Sequence, residues 1–289
     1  MTATATSPVV IDQPGVYNLT DAEYHRDPVP GGSLSSTGAR KLLPPGCPAR
    51  YHHDRGATAT STPTFDLGKA AHLRVLGAGP ELVTVHAADW RTKAAQEARK
   101  AAWDQGKVPV LAHQVEQVDA MADAIRRHPV ASKLLDPRTG DPEQSLFWVD
   151  GPTGVWLRAR LDFLRNRVAG RVLVVDYKTT EAADLEHIER AIHGYGYHQQ
   201  AALYLDGVRA LGLADDPAFV FVFQETRAPY LITVVQLTRF AEDIGRRRNR
   251  DAIDLYRQCT ETGHWPGHAE DIQLVSLPAW VERIHKEIV

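Results

Sequence analysis

The hydrophobic pattern divides the chain into two textures that meet near residue 142. Before that point apolar residues recur at helical spacing. In "FDLGKAAHLRVLG" (65–77), Leu67, Ala71 and Val75 fall on one side of a helix. Residues 89–105 and 111–136 are rich in Ala, Arg and Gln with the same period, which predicts two or three helices punctuated by Pro109 and Pro129. "SLSSTGARKLL" predicts a short helix with Ser35 or Ser36 as N-cap, ending near "PPG". "GATATSTPT" (56–64) reads as a polar, turn-rich loop. After residue 142 the pattern shortens. "EQSLFWVD", "GVWLRARLDFLRN" and "GRVLVVDYKTT" predict three consecutive strands separated by Gly-containing turns. A helical stretch over about 184–211 follows, then two strands, "AFVFVFQET" and "YLITVVQLT", then a long charged helix over 239–261. No repeat is present. The order predicts an α/β (α+β) core behind a helical N-terminal portion, without the regular βαβ alternation of a doubly wound fold.

Length and composition narrow the picture. A chain of 289 residues can build one large domain with a real core. No apolar run approaches the roughly 18–20 residues of a membrane span, so no membrane association is expected. "MTATATSPVVIDQPG" has neither a basic start nor an apolar stretch, so it reads as a loose arm rather than a signal peptide. Two cysteines, Cys47 and Cys259, exclude a disulfide framework and a four-thiolate metal site. A reducing, cytoplasmic setting is the simplest reading. The net charge of −3 provides no global attraction for nucleic acid, so a polyanion would need a local basic patch or a metal.

The candidate chemistry sits in "VVDYKTT" (174–180), an apolar strand that ends in an acid and a lysine. Residues i and i+2 of a strand share a face, so Asp176 and Lys178 project together. Asp162 lies 14 residues earlier on the preceding strand, in parity with Arg158 and Arg160. A hairpin around "RNRVAG" brings Asp162 and Asp176 to one end of the sheet. Two close carboxylates repel when ionised, and a divalent cation relieves that repulsion; hard oxygen donors suit Mg²⁺ or Mn²⁺. An Asp-x-Lys pair taken alone is equally compatible with a simple salt bridge at a strand end. Further along, Gln200 and Tyr204 share a helix face at i, i+4, either near the acids or as a plain helix surface. His72 follows Gly68 on a helix, as a ligand or as a satisfied core histidine.

Taken in order, "SLSSTGARKLL", "FDLGKAAHLRVL", "EQSLFW", "GVWLRARLDFL", "VVDYKTT" and "GYHQQAALYLDG" resemble the PD-(D/E)XK nucleases. Within them the RecB/RecE-type exonucleases, and the phage-type exodeoxyribonuclease VIII-like domains, are most similar. The resemblance implies a restriction-endonuclease-like core with a central mixed sheet flanked by helices. The resemblance runs from about residue 23 to 240, and with the arm read over 1–15 a single domain is expected over 16–289. That domain would comprise a helical portion (16–140), a catalytic sheet core (141–240) and C-terminal helices (241–289).

Residue by residue, Asp162 and Asp176 match the two motif acids and Lys178 the motif lysine. His72 matches an upstream metal-ligating histidine, and the Tyr177 carbonyl would complete the metal set with Asp162 and Asp176. Gln200 and Tyr204 match a Q-x-x-x-Y element that contacts DNA, and Glu143 an assisting acid. The acid before the lysine is Asp where many members carry Glu. Two cysteines exclude the iron–sulfur cluster of a CRISPR-associated branch. Arg158 and Arg160 would grip flanking phosphates, or pair with acids on the sheet. "GRRRNR" (245–250) would track DNA or form a solvated face with internal ion pairs. Arg40, Arg50 and His52 are weaker candidates. The function implied is Mg²⁺- or Mn²⁺-dependent hydrolysis of phosphodiesters from linear double-stranded DNA ends, 5′→3′, in phage-type recombination. A single-strand annealing protein as partner and a ring-shaped homo-oligomer are implied with it. An endonuclease, a CRISPR-adaptation-like nuclease and a non-catalytic DNA-end-binding module are the alternatives.

Overall fold

The computed structural model describes residues 9–55, 63–168 and 171–285. The loop expected at 56–64 lies outside the described residues over 56–62. The first half contains β1 (Gly15–Tyr17), α1 (Asp21–His25), β2 (Leu34–Ser35), α2 (Ser36–Leu42), α3 (Pro48–Asp54), α4 (Pro63–Leu76) and β3 (Leu82–Val85). It continues with α5 (Lys93–Asp104), β4 (Val108–Leu111), α6 (Ala112–Arg127) and α7 (Ala131–Leu134). The second half contains β5 (Gly140–Val149), β6 (Trp156–Val168), β7 (Arg171–Thr180), α8 (Leu185–Gly194) and α9 (Tyr197–Ala210). Then follow β8 (Ala218–Glu225), β9 (Ile232–Val235), α10 (Arg239–Thr262) and α11 (Ala279–Ile284).

The expected helical portion is therefore interrupted by four short strands. β1 pairs with β5 and β2 with β6, while β3 and β4 form a separate parallel pair. Strands of two to four residues leave no readable period, and their partners lie far along the chain. The loose-arm expectation for residues 1–15 is also corrected where the chain is described. Ile11 is 2% exposed, packs with Leu19, Tyr24, Val29 and Phe147, and donates its N–H to the Pro28 carbonyl at 2.9 Å.

The main sheet runs β1-β5-β6-β7-β8-β9, with β2 beside β6. β5, β6 and β7 are antiparallel neighbours, and β7 and β8 are parallel, joined through α8 and α9. The sheet is thus mixed, with helices on both faces. Strand alternation distributes its side chains between two cores. Phe219, Phe221 and Phe223 of β8 pack with α9 and α10, whereas Val220 and Val222 pack with α4 and α6. β7 divides in the same way, Val172 and Val174 against Val175 and Tyr177. Among the described residues no helix is long and apolar enough to cross a membrane. Both cysteines are free and buried.

α10 lies on α9 because Gly245 lets it come close. Buried Gln199 and Asn249 then close the seam, with the Asn249 amide donating to the Gln199 carbonyl at 2.8 Å. The basic run 245–250 is largely tied into the fold. Arg246 pairs with Asp206 and Asp243, Arg250 with Asp150 and Asp254, and Arg248 donates to Gln199 and to the Pro44 carbonyl. Arg247 remains exposed. A Cβ added at Gly245 would stand 2.1 Å from the His198 carbonyl oxygen, which is backbone and cannot yield. At an ordinary helix position Gly→Ala stabilises by about 1 kcal/mol. Here Gly245→Ala is expected to destabilise by about 1–3 kcal/mol through overpacking. Urea unfolding reads the sign, and a stabilised variant would sink this account of the seam.

Candidate active site

The site forms where β6 and β7 separate. Their ladder runs Leu164↔Val174 and Phe163↔Val175, and beyond it the Asp162 side chain takes over, accepting the Tyr177 N–H at 2.9 Å. The same carboxylate oxygen meets His72 Nε2 of α4 at 2.9 Å. His72 Nδ1 meets Glu143 of β5 at 3.1 Å, so one imidazole bridges two acids from two strands. Glu143 occupies the left-handed region (φ 56°) and makes no ladder pair with Asp162, although Pro142↔Phe163 and Gln144↔Leu161 pair on either side. Left-handed backbone is costly for a non-glycine residue. Here it accompanies a carboxylate held between His72 and Arg160 Nε, the latter at 2.5 Å.

Asp176, two strand positions from Lys178, is 1% exposed. Lys178 Nζ stands 2.5 Å from Asp176 Oδ1, and Gln200 of α9 donates its amide to Asp176 Oδ2 at 2.6 Å. The Tyr197 ring covers Lys178 Nζ at 5.0 Å from its centroid. α4 passes this end of β7 at Gly68, where an added Cβ would come into contact with Thr179 Oγ1 at 3.4 Å. The groups open into a cleft of about 550 Å³, whose lining includes Lys69, His72, Glu143, Asp162, Lys178 and Tyr197.

The electrostatics separate the two aspartates. Burial raises the Asp176 carboxyl, the Asp162 charge raises it further, and Lys178 only partly offsets both, leaving it at about 6. Burial would also raise Asp162, but His72, Lys178 and the Tyr177 N–H outweigh it and hold that carboxyl below its ordinary value. Burial opposes a charged His72, yet Asp162 and Glu143 prevail and push the imidazole up to about 10. Lys178 is likewise raised: burial is outweighed by Asp176 and Asp162.

Asp162, Asp176, Lys178, His72, Glu143 and Gln200 are thus gathered at one sheet end. Other expected site residues fall elsewhere. Arg158 pairs with Asp27 at 2.5 Å and donates to Ser33; Arg160 serves Glu143, the Leu19 carbonyl and Ser145. Their guanidiniums are committed to the fold, which corrects their expected role as phosphate grips, although Arg160 still lines the cleft. Tyr204 is 7% exposed and packs in the core near Phe219, and burial pushes its phenol well up. It presents no surface to DNA, and Gln200 is engaged by Asp176. The Tyr177 side chain is turned away, bonding Gln224 at 2.5 Å. Of the weaker candidates, Arg40 donates to the Tyr195 carbonyl, His52 stacks on Trp265 at 4.5 Å and Arg50 is exposed. Sequence reading passed over Lys69 and Tyr197. Both were findable by helical spacing, at i−3 from His72 and from Gln200 respectively.

A mixed sheet flanked by helices, with Asp-x-Lys on one strand and an aspartate on its neighbour, defines the PD-(D/E)XK nuclease superfamily. The chain belongs to the family described as "PDDEXK-like domain of unknown function (DUF3799)", which matches residues 35–278. Among solved structures, a "Putative exonuclease" from Eubacterium rectale superposes with a TM-score of 0.59 at 12% identity, covering 93% of this chain and 98% of its own. That likeness is one of fold. The structure of SSO0001 covers 66% of this chain and 85% of its own at 16% identity, with a TM-score of only 0.29. No curated protein matches.

Carboxylates and an imidazole are the donor chemistry of a hard divalent cation, and mutual repulsion in a buried site is what such a cation relieves. No three His, Cys, Asp or Glu side chains form a ready cage among the described residues. His72 meets acids through both nitrogens, Asp176 Oδ2 accepts from Gln200, and the buried Asp176 Oδ1 has only its ion pair with Lys178. Loading a cation would require His72 to surrender its proton. In chelator, the His72 ring is therefore expected to titrate near pH 10 rather than 6.5. Because the folded value is the higher one, its stabilisation is complete below about pH 6.5 and is lost as pH rises through about 10. Ring NMR and denaturation of wild type against His72→Gln measure both effects. A ring that titrates near 6.5 would contradict the bridging arrangement.

Proposed function

We propose that this chain is a metal-dependent exodeoxyribonuclease that removes nucleotides from linear double-stranded DNA ends, 5′→3′, in phage-type homologous recombination. One observation carries the reading: Asp162, Asp176 and Lys178 meet at one sheet end, with His72 delivered beside them by α4. Asp162, Asp176, His72 and the Tyr177 carbonyl are the groups proposed to hold Mg²⁺ or Mn²⁺. When bound, the cation supplies Lewis acidity, lowering the pKa of a water and neutralising phosphate charge. Lys178, with its ammonium beside Asp176, orients that water or stabilises charge developing on a non-bridging phosphate oxygen. Gln200 fixes the rotamer of Asp176 through its amide. Glu143 and Arg160 hold His72 in place, so a proton on its ring has defined acceptors on both sides. The polarity, a ring-shaped oligomer and a single-strand annealing partner rest on the resemblance to RecE-type enzymes, and the cytoplasmic setting on the two free cysteines.

End-labelled linear duplex and covalently closed circular DNA, each with Mg²⁺ or with chelator, test the reading. The wild type is expected to release nucleotides from the linear substrate only, and only with Mg²⁺. Asp176→Asn is expected to abolish release. Lys178→Ala is expected to retain Mg²⁺ binding by calorimetry and to lose about 10²–10³ in rate, as for other groups that stabilise developing charge. Wild-type rates in both variants would reject the site. Cutting of closed circles would convert the assignment to an endonuclease, and DNA-end binding without release would leave a non-catalytic module.

A further inference from the structure

Tyr197 lines the cleft and Tyr195 stacks on it from outside the lining, in an arrangement that hydrolysis itself does not require. Tyr197 is fixed from the core side, its ring packed on Phe221 and Phe223 with centroids 5.7 and 6.0 Å away. Its π-system also covers the Lys178 ammonium. Tyr195 is stacked upon it, centroids 5.5 Å apart and planes 29° apart. Tyr195 is itself 62% exposed, so the side of its ring away from Tyr197 is open.

An exposed tyrosine is unremarkable by itself. Here the turn that carries it is clamped. Gly196, between the two tyrosines, takes the left-handed conformation (φ 68°) that ends α8 and begins α9. A Cβ at Gly196 would stand 2.8 Å from Arg40 Cδ, and the Arg40 guanidinium donates to the Tyr195 carbonyl. The backbone is therefore set by a residue from α2, and the short Tyr-Gly-Tyr turn brings the two rings face to face. The result is an aromatic pair that runs from Lys178 to an open ring face.

Resting on the nuclease reading above, we infer that this pair is a stacking platform for the unpaired base adjacent to the phosphate held at Lys178. The ligand class is a single-stranded or frayed nucleic-acid terminus. Every base has a π-face, so the platform accepts any base without reading sequence, and losing one such stack weakens binding about tenfold. Arg40 serves this site by holding the turn through the Tyr195 carbonyl.

The test uses duplex DNA carrying 2-aminopurine as its terminal, unpaired base. With wild-type protein in chelator, stacking quenches the fluorophore on binding. Tyr195→Ala is expected to lose the quench and, with Mg²⁺, to raise KM about tenfold, the loss falling on KM rather than kcat. Tyr195→Phe, which keeps the ring, is expected to retain both. Wild-type quenching and KM in Tyr195→Ala would overturn the platform. Nucleotide release by the wild type reads the nuclease proposal separately: its absence would reject that proposal while the quench still decides the stack.

Discussion

Two carboxylates buried at the end of one sheet must be given positive charge or hydrogen bonds, because an uncompensated buried charge is too costly to keep. The surroundings of Asp162 and Asp176 can be understood as the supply of that compensation. Lys178 comes from the same strand as Asp176, two positions on. His72 comes from α4, Gln200 from α9 and the Tyr177 N–H from the strand itself. The two acids receive unequal shares. Asp162 is kept ionised by His72, whereas Asp176 is lifted to about 6. Neighbouring carboxylates with separated proton affinities are a recurrent property of hydrolytic sites.

This requirement reaches outward through the fold. His72 bridges Asp162 and Glu143 where α4 passes β7 at Gly68, and Glu143 meets it from left-handed backbone. Glu143 in turn is held by Arg160, whose remaining donors go to the Leu19 carbonyl and Ser145. Arg158, one turn of the pleat away, anchors Asp27 and Ser33. The N-terminal segment is thereby fastened to the strand that carries Asp162. The arginines expected to grip DNA instead join this segment to the site.

Opposite the charged groups, the aromatic side of the cleft is set by β8. Alternation directs Phe219, Phe221 and Phe223 toward α9, and Tyr197 lies on this row. Its position over Lys178 follows from sheet packing together with the contact between ring and ammonium. The catalytic lysine proposed here is therefore bounded by an acid on one side and an aromatic ring on the other.

Local spacing determined much of this. The strand "VVDYKTT" sends Asp176 and Lys178 to one side because strand geometry alternates, and α4 was readable in "FDLGKAAHLRVL" because apolar residues return every third or fourth position. The motif order pointed to the superfamily before any coordinate. Only the tertiary structure decided that Arg158 and Arg160 are consumed by Asp27 and Glu143, that Tyr204 is buried while Tyr197 faces Lys178, and that residues as short as Leu34–Ser35 belong to the main sheet. Periodicity sets the direction in which a side chain leaves its own backbone; what it meets there depends on which distant segment packs against it.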